Sequence, residues 1–210
     1  MITELLPERT VERLSKYRRT LLSNLNKGVT HIYSHTLASI QGITPVQVRR
    51  DLMLIGFSSD TKKGYNVKEL IEFIGTILDS EKTANVAIVG MGNLASAVTS
   101  YFNGKRSKLK IVCSFDVDKN KVGKMIGDIP CYNINLFKEK TKNENVNIVI
   151  LTLPSSKVDT IITHLDAPHI KGVLNFTSVT LQLPEHSEVY VEDYDIITLL
   201  EKVAYYTKEI

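Results

Sequence analysis

The sequence predicts an α/β chain: an amino-terminal winged helix-turn-helix domain, then a Rossmann-like parallel-sheet domain that ends in one apolar helix. Three observations carry this. The run Val86, Ala87, Ile88, Val89 reads as a buried parallel strand and passes straight into a GxGxxA turn, Gly90, Met91, Gly92, Asn93, Leu94, Ala95. That turn stands mid-chain, so a whole module precedes it. Charge is also unevenly placed. Residues 1 to 68 hold 11 Lys or Arg against 5 Asp or Glu, a net +6, whereas the rest is −3. A basic module on a slightly acidic body points to a polyanionic partner for the first part.

The amino-terminal elements follow from caps and periodicity. Pro7 opens a helix whose apolar stripe is Val11, Leu14, Tyr17, Leu21 and Leu25, and Gly28 stops it. Ser34 is placed to cap a second, short helix bearing Leu37, Ala38 and Ile40, with Gly42 past its end. Thr44 caps a third helix with Pro45 in its first turn, running through Val46, Val48, Leu52 and Ile55 to Gly56. Gln47, Arg49 and Arg50 on that helix suit the major groove, where Arg reads guanine and Gln reads adenine. A solvated charged face on a helical bundle explains the same residues equally well. The polar stretch from Ser58 to Gly64, with Lys62 and Lys63, reads as a wing loop touching phosphates. Asn66, with Glu69 three residues on, caps a fourth helix striped by Val67, Leu70, Ile71, Ile74, Ile77 and Leu78.

In the body, each position of the glycine turn has a physical task. Gly90 makes the tight turn, Gly92 lets the backbone approach a pyrophosphate, and Ala95 lets the helix from Asn93 to Tyr101 pack on the strand, its amino end toward phosphate. A second apolar run from Leu109 ends in Asp116, somewhat beyond the usual offset of about 20 residues; its carboxylate can accept from a ribose diol and repel a 2′-phosphate, favouring NAD over NADP. A doubly wound domain with a different nucleotide pocket is the competing explanation. Further strands are expected at Asn147 to Leu153, Gly172 to Phe176 and Glu188 to Val191, with a helix at Ser156 to Leu165. Ligands lie outside the carboxyl ends of such strands, which makes Thr152, Pro154, Asn175 and Phe176 candidates for the nicotinamide half. Asp195 caps a last helix carrying Ile196, Ile197, Leu199, Leu200, Val203, Ala204 and Tyr205, apolar on more than one face and so expected to be buried between subunits.

Composition narrows the class. A chain of 210 residues that is 43% hydrophobic supports two small domains, each with its own core. Nothing resembles a signal peptide or an eighteen-residue apolar span, so a cytoplasmic protein without membrane insertion is expected. Cys113 and Cys131 lie in apolar contexts, and the five histidines form no zinc-type cluster, so no metal is expected.

Taken together, ITPVQVRRDL (Ile43 to Leu52), GYNVKELIEFIGTIL (Gly64 to Leu78), VAIVGMGNLASA (Val86 to Ala97), FDVDKNKVG (Phe115 to Gly123), GVLNF (Gly172 to Phe176) and Tyr194, Asp195, Ile196 make the chain resemble the Rex family of redox-sensing transcriptional repressors over almost its whole length. The resemblance implies a homodimer of winged-helix and Rossmann domains with the last helix swapped between subunits. It also implies operator DNA bound when NADH is scarce and released when NADH binds, with no catalytic residue. Carried over residue by residue, it gives Arg19 and Asp195 as an ion pair bridging the two domains and Tyr101 as a tyrosine near the nicotinamide. The expected division is 1–79 for DNA, 80–192 for NAD or NADH, and 193–210 for dimerisation. The chain departs from the family pattern in three places: at Ser58 to Lys63, where the wing usually carries glycine and arginine; at Ala95, where glycine is common; and at Thr177 and Ser178, where Ala-Pro is usual.

Two other functions fit parts of the sequence. An NAD-dependent oxidoreductase would need a proton donor and a substrate-enclosing domain, and only one helix follows the last strand. An NAD- or CoA-binding subunit could use the first module to bind protein instead of DNA.

Overall fold

A computed structural model describes residues 5–58, 63–102 and 108–208. The chain divides into two compact units, Met1–Glu81 and Lys82–Ile210.

In the first unit, α1 (Glu8–Asn26), α2 (Ser34–Gln41), α3 (Pro45–Leu54) and α4 (Val67–Leu78) surround one core, built from Leu14, Tyr17 and Leu21 of α1, Leu37, Val48 and Leu52 of α2 and α3, and Leu70 and Ile74 of α4. Thr44 caps α3 by accepting from Gln47 N at 3.2 Å, and Asn66 caps α4 by accepting from Glu69 N at 3.1 Å, so both expected caps form. Ser34 does not cap α2. The helix starts at Ser34 itself after an extended Tyr33, and the serine hydroxyl instead accepts from Arg49 Nη1 at 3.2 Å. Gly42 ends α2 in the left-handed conformation, φ 66°, which lets the chain turn at once into α3. Sequence periodicity gave no sign of two short strands, β1 (His31–Ile32) and β2 (Tyr65–Asn66), which pair antiparallel. At two residues each they are too short to show alternation.

The second unit is a seven-stranded sheet made of β3 (Ala84–Val89), β4 (Leu109–Asp116), β5 (Met125–Ile126), β6 (Ile129–Asn133), β7 (Val146–Leu151), β8 (Gly172–Asn175) and β9 (Tyr190–Asp193). Its order is β5-β6-β4-β3-β7-β8-β9, parallel except for the β5–β6 hairpin. The chain builds outward from β3 on one side and then returns to build outward on the other. That reversal places a topological switch between β3 and β7, the position where a doubly wound sheet opens a crevice. Alternate side chains serve opposite faces: Ala87, Val89, Cys113 and Phe115 join one core cluster, while Val86, Ile88, Cys131 and Ile150 join the other. The helices are α5 (Asn93–Phe102), α6 (Phe137–Asn143), α7 (Asp159–Leu165) and α8 (Ile196–Tyr206). The last strand lies two residues later than expected, because its register is set by pairing with β8, Asn175 opposite Asp193. No helix among the described residues is long and apolar enough to cross a membrane.

Candidate functional site

Parallel pairing of β4, β3, β7 and β8 brings Asp116, the glycine turn, Thr152 and Asn175 to one edge of the sheet. At its centre Gly90 has φ 91°, and a Cβ there would meet Leu153 N at 3.0 Å and the Thr152 carbonyl carbon at 3.1 Å. Only glycine satisfies both the backbone and the close approach of the β7 end. Thr152 fastens the two strand ends together, its hydroxyl donating to Gly90 O at 2.7 Å and Val89 O at 3.1 Å. Gly92 differs: a Cβ built on it has nothing within 4 Å, so its missing side chain leaves open space beside the start of α5. The first N–H groups of a helix have no partner within it, and that space is where a pyrophosphate fits. Ala95 is fully buried against β3, as the packing argument requires. Asn93 is exposed and Leu94 half-buried at the same end.

Met91 of the turn and Asp116 at the end of β4 are tied to each other. The Met91 side chain is buried in the core, and its N–H donates to Asp116 Oδ2 at 2.9 Å. Asp116 also accepts from Val117 N (2.7 Å), Asp118 N (2.9 Å) and Lys121 Nζ (3.1 Å). Burial would raise its carboxyl, but the bonds from Asp118 N, Lys121, Met91 N and Val117 N together hold it below the usual carboxylate range. It is therefore ionised, and because four donors already fill its acceptor positions, a ribose diol would bind it in exchange for the Met91 N–H or Lys121 Nζ.

The far end of this edge is built around Asn175, which is fully buried. Its amide donates to Asp193 Oδ1 (2.7 Å) and Val179 O (2.8 Å), and its oxygen accepts from Thr177 N (3.0 Å) and Thr177 Oγ1 (2.7 Å). Asn175 thus shapes the 177–179 loop, and its side chain is spent on that task. Ser178 reaches across to Ser155, hydroxyl to hydroxyl at 2.8 Å, just after the exposed Pro154. Phe176 is half-buried and stacks edge-on against Tyr194, ring centroids 5.3 Å apart. A cleft of ≈ 480 Å³ lies between residues 177–180, residues 192–195 and the first turn of α8. Asp195 lines it and caps α8, accepting from Thr198 Oγ1 at 2.7 Å and Ile197 N at 2.9 Å. Tyr101 lies on α5 and is 67% exposed.

In the first unit Arg49 and Arg50 are exposed on α3, Thr44 is exposed at its cap, and Lys63 is exposed before β2. Lys62 lies outside the described residues. Gln47 is not a free reader: its amide nitrogen donates to Asp51 Oδ1 at 2.9 Å. Asp51 is 2% exposed and also accepts Arg13 Nε (2.6 Å), Arg13 Nη2 (2.7 Å) and the Tyr17 hydroxyl (2.7 Å). Because an ionised carboxylate only accepts, this contact fixes which end of the Gln47 amide faces inward. Arg19 is exposed on α1.

A redox-sensing transcriptional repressor Rex of Listeria welshimeri is 33% identical to this chain over 204 residues, covering 97% of the chain and 94% of the relative. The chain belongs to the Rex family. Residues 81–179 match the family model described as "CoA binding domain" and residues 6–52 the one described as "Putative DNA-binding protein N-terminus". Among solved structures, the Rex-family repressor RSP in complex with β-NAD+ and operator DNA is 28% identical, with a TM-score of 0.87 over 97% of this chain and 93% of that one. RSP in complex with β-NADH gives a TM-score of 0.82 over 97% and 95%. Compared with the residues expected from sequence, this Rex-family chain adds Asp51, Thr177, Ser178 and Asp193 to the site's supporting framework. Asp51 carried a signal, an acid four residues after Gln47 on a basic helix. Thr177 and Ser178 stood out only as departures from the family pattern, and Asp193, whose bond with Asn175 depends on long-range pairing, had no signal.

Proposed function

We propose that this chain is a redox-sensing repressor: the first unit binds operator DNA, and NADH binding to the second releases it. The relationship to Rex proteins across nearly the full chain carries this reading, and the two chemistries of the structure support it. The open space at Gly92, the ionised Asp116 and the start of α5 fit a dinucleotide. Gly90, Gly92, Asn93, Leu94 and Ala95 form its pyrophosphate cradle and Met91 holds Asp116 toward the ribose. Thr152, Pro154, Asn175 and Phe176 frame the nicotinamide end, with Tyr101 beside it. Thr44, Arg49, Arg50 and Lys63 face the DNA, with Lys62 in the wing. The division of labour is 1–79 for DNA, 80–192 for NAD or NADH and 193–210 for joining two subunits, and such a protein works in the cytoplasm. It is a sensor and not an oxidoreductase, so no residue is assigned a catalytic role.

The nicotinamide ring is cationic when oxidised and neutral when reduced, and that change of charge is the signal. Asp195, ionised in the cleft, favours the cationic ring and is freed to pair with Arg19 when the ring is neutral. One titration tests the reading: a duplex selected by the protein from a randomised pool, measured at fixed salt with NADH or with NAD. NADH is expected to weaken binding by at least about tenfold relative to NAD, a coupling typical of allosteric effectors. Equal affinity in the two titrations overturns the proposal.

A further inference from the structure

The outward face of α3 is not wholly polar. Val46 and Met53 are 47% and 77% exposed, although buried Val48 and Leu52 on the same helix show that apolar residues there can be sequestered. Seven residues are within about 20° of two full helical turns, so Val46 and Met53 share one line along the helix, with Arg49 and Arg50 on either side of it. We propose that Val46 and Met53 read thymine methyl groups in the major groove, giving operator specificity an apolar component between the two arginines. This rests on α3 being the recognition helix of a repressor.

Three features favour DNA as the occupant of this face. The arginines flank the apolar line, so a second copy packed on it by two-fold symmetry would bring four guanidinium groups together. Residues 1 to 68, which include α3, carry a net +6; the acids that offset it within the unit, Glu69, Glu72, Asp79 and Glu81, all lie on or after α4. Thymine is also the one base whose major-groove edge presents a methyl group, and an exposed apolar side chain amid arginines is complementary to it. Gln47, tied through its amide nitrogen to Asp51, lies about 100° around the helix from Val46 and away from this line.

The test uses the full chain and the tightest duplex it selects from a randomised pool, with each thymine replaced singly by deoxyuridine, which lacks only the methyl. At one or two positions per half-site the replacement is expected to weaken binding about fourfold, the worth of one buried methyl-sized group at roughly 0.8 kcal/mol. V46A or M53A should erase that penalty at its own position, with melting temperature unchanged because both side chains are exposed. Selected duplexes that tolerate deoxyuridine everywhere but not purine exchange would overturn the methyl contact and leave the repressor reading standing. If no sequence is enriched, both readings fall. If the variants change the subunit association state and not the deoxyuridine penalty, the face belongs to a second copy, and the proposal is wrong.

Discussion

At the residue scale, the two glycines of the turn do different things, although sequence treats them alike. Gly90 is demanded by the fold, through φ 91° and backbone atoms 3.0 Å and 3.1 Å from a would-be Cβ. Gly92 is not demanded by the fold, since nothing approaches a Cβ built there, and its role in the proposed site is to leave room for the dinucleotide. G90A should therefore lower the thermal stability of the second unit by about 1–3 kcal/mol, the usual cost of a strained backbone position. G92A should melt as the parent does without nucleotide and yet bind NADH at least about tenfold more weakly, because its methyl fills the pyrophosphate space. Calorimetry with and without NADH separates the two; parental NADH affinity in G92A would remove that residue from the site. Asp51 is the corresponding residue of the first unit. Burial raises its carboxyl, but the bonds from Arg13, Tyr17 and Gln47 outweigh burial and hold it low. A carboxyl depressed in the folded state stabilises fully above its unfolded value, about 3.9, and loses that contribution as pH falls through the folded value. D51A leaves the half-buried Arg13 and the buried Tyr17 hydroxyl without their carboxylate, and a loss of about 3 kcal/mol is expected near neutral pH, shrinking below about pH 4. Melting curves of the parent and D51A across that range check it, and a pH-independent difference would show that charge is not the cause.

At the scale of elements, what could be read from sequence was what repeats over several turns or is bounded by a cap. Helix α4 has a buried stripe and an asparagine cap, and both stand as expected. The β5–β6 hairpin and α6 left no such trace: two-residue β5 turns at Gly127, φ 62°, and α6 is seven residues of FKEKTKN, polar around most of its surface. The same limit applies to the site. The glycine turn is local and legible. Around Asn175 the bonds from Thr177 are local, but the bond to Asp193 forms only once β9 pairs with β8, a contact that no periodicity announces. Helix α8 was legible for the opposite reason, because its pattern is wrong for a solvated helix. No residue of α8 is buried, and Ile197, Leu200 and Val203 are 59–63% exposed. An isolated helix of this length is marginal in water, so its apolar faces need cover, and in the proposed dimer a second subunit supplies it.

At the scale of the whole molecule, the question is how a change of one charge in the dinucleotide alters affinity for DNA. Moving a two-state equilibrium from 1:99 to 99:1 takes about 5.5 kcal/mol of differential affinity, and a symmetric dimer divides that between two sites. A carboxylate that changes partner in each subunit is one way to supply part of that difference. Asp195 is placed for it, exposed in the cleft and held ionised by the Thr198 hydroxyl and the Ile197 N–H. These bonds also make it the cap of α8, so an alanine would remove cap and charge together. D195N separates them, because asparagine caps as well as aspartate and carries no charge. If the charge is the switch, D195N should retain duplex binding, NADH binding and the circular-dichroism spectrum of the parent, while NADH loses most of its power to release the duplex. If release by NADH persists undiminished in D195N, the signal runs through some other group, and Arg19 loses its proposed role along with Asp195.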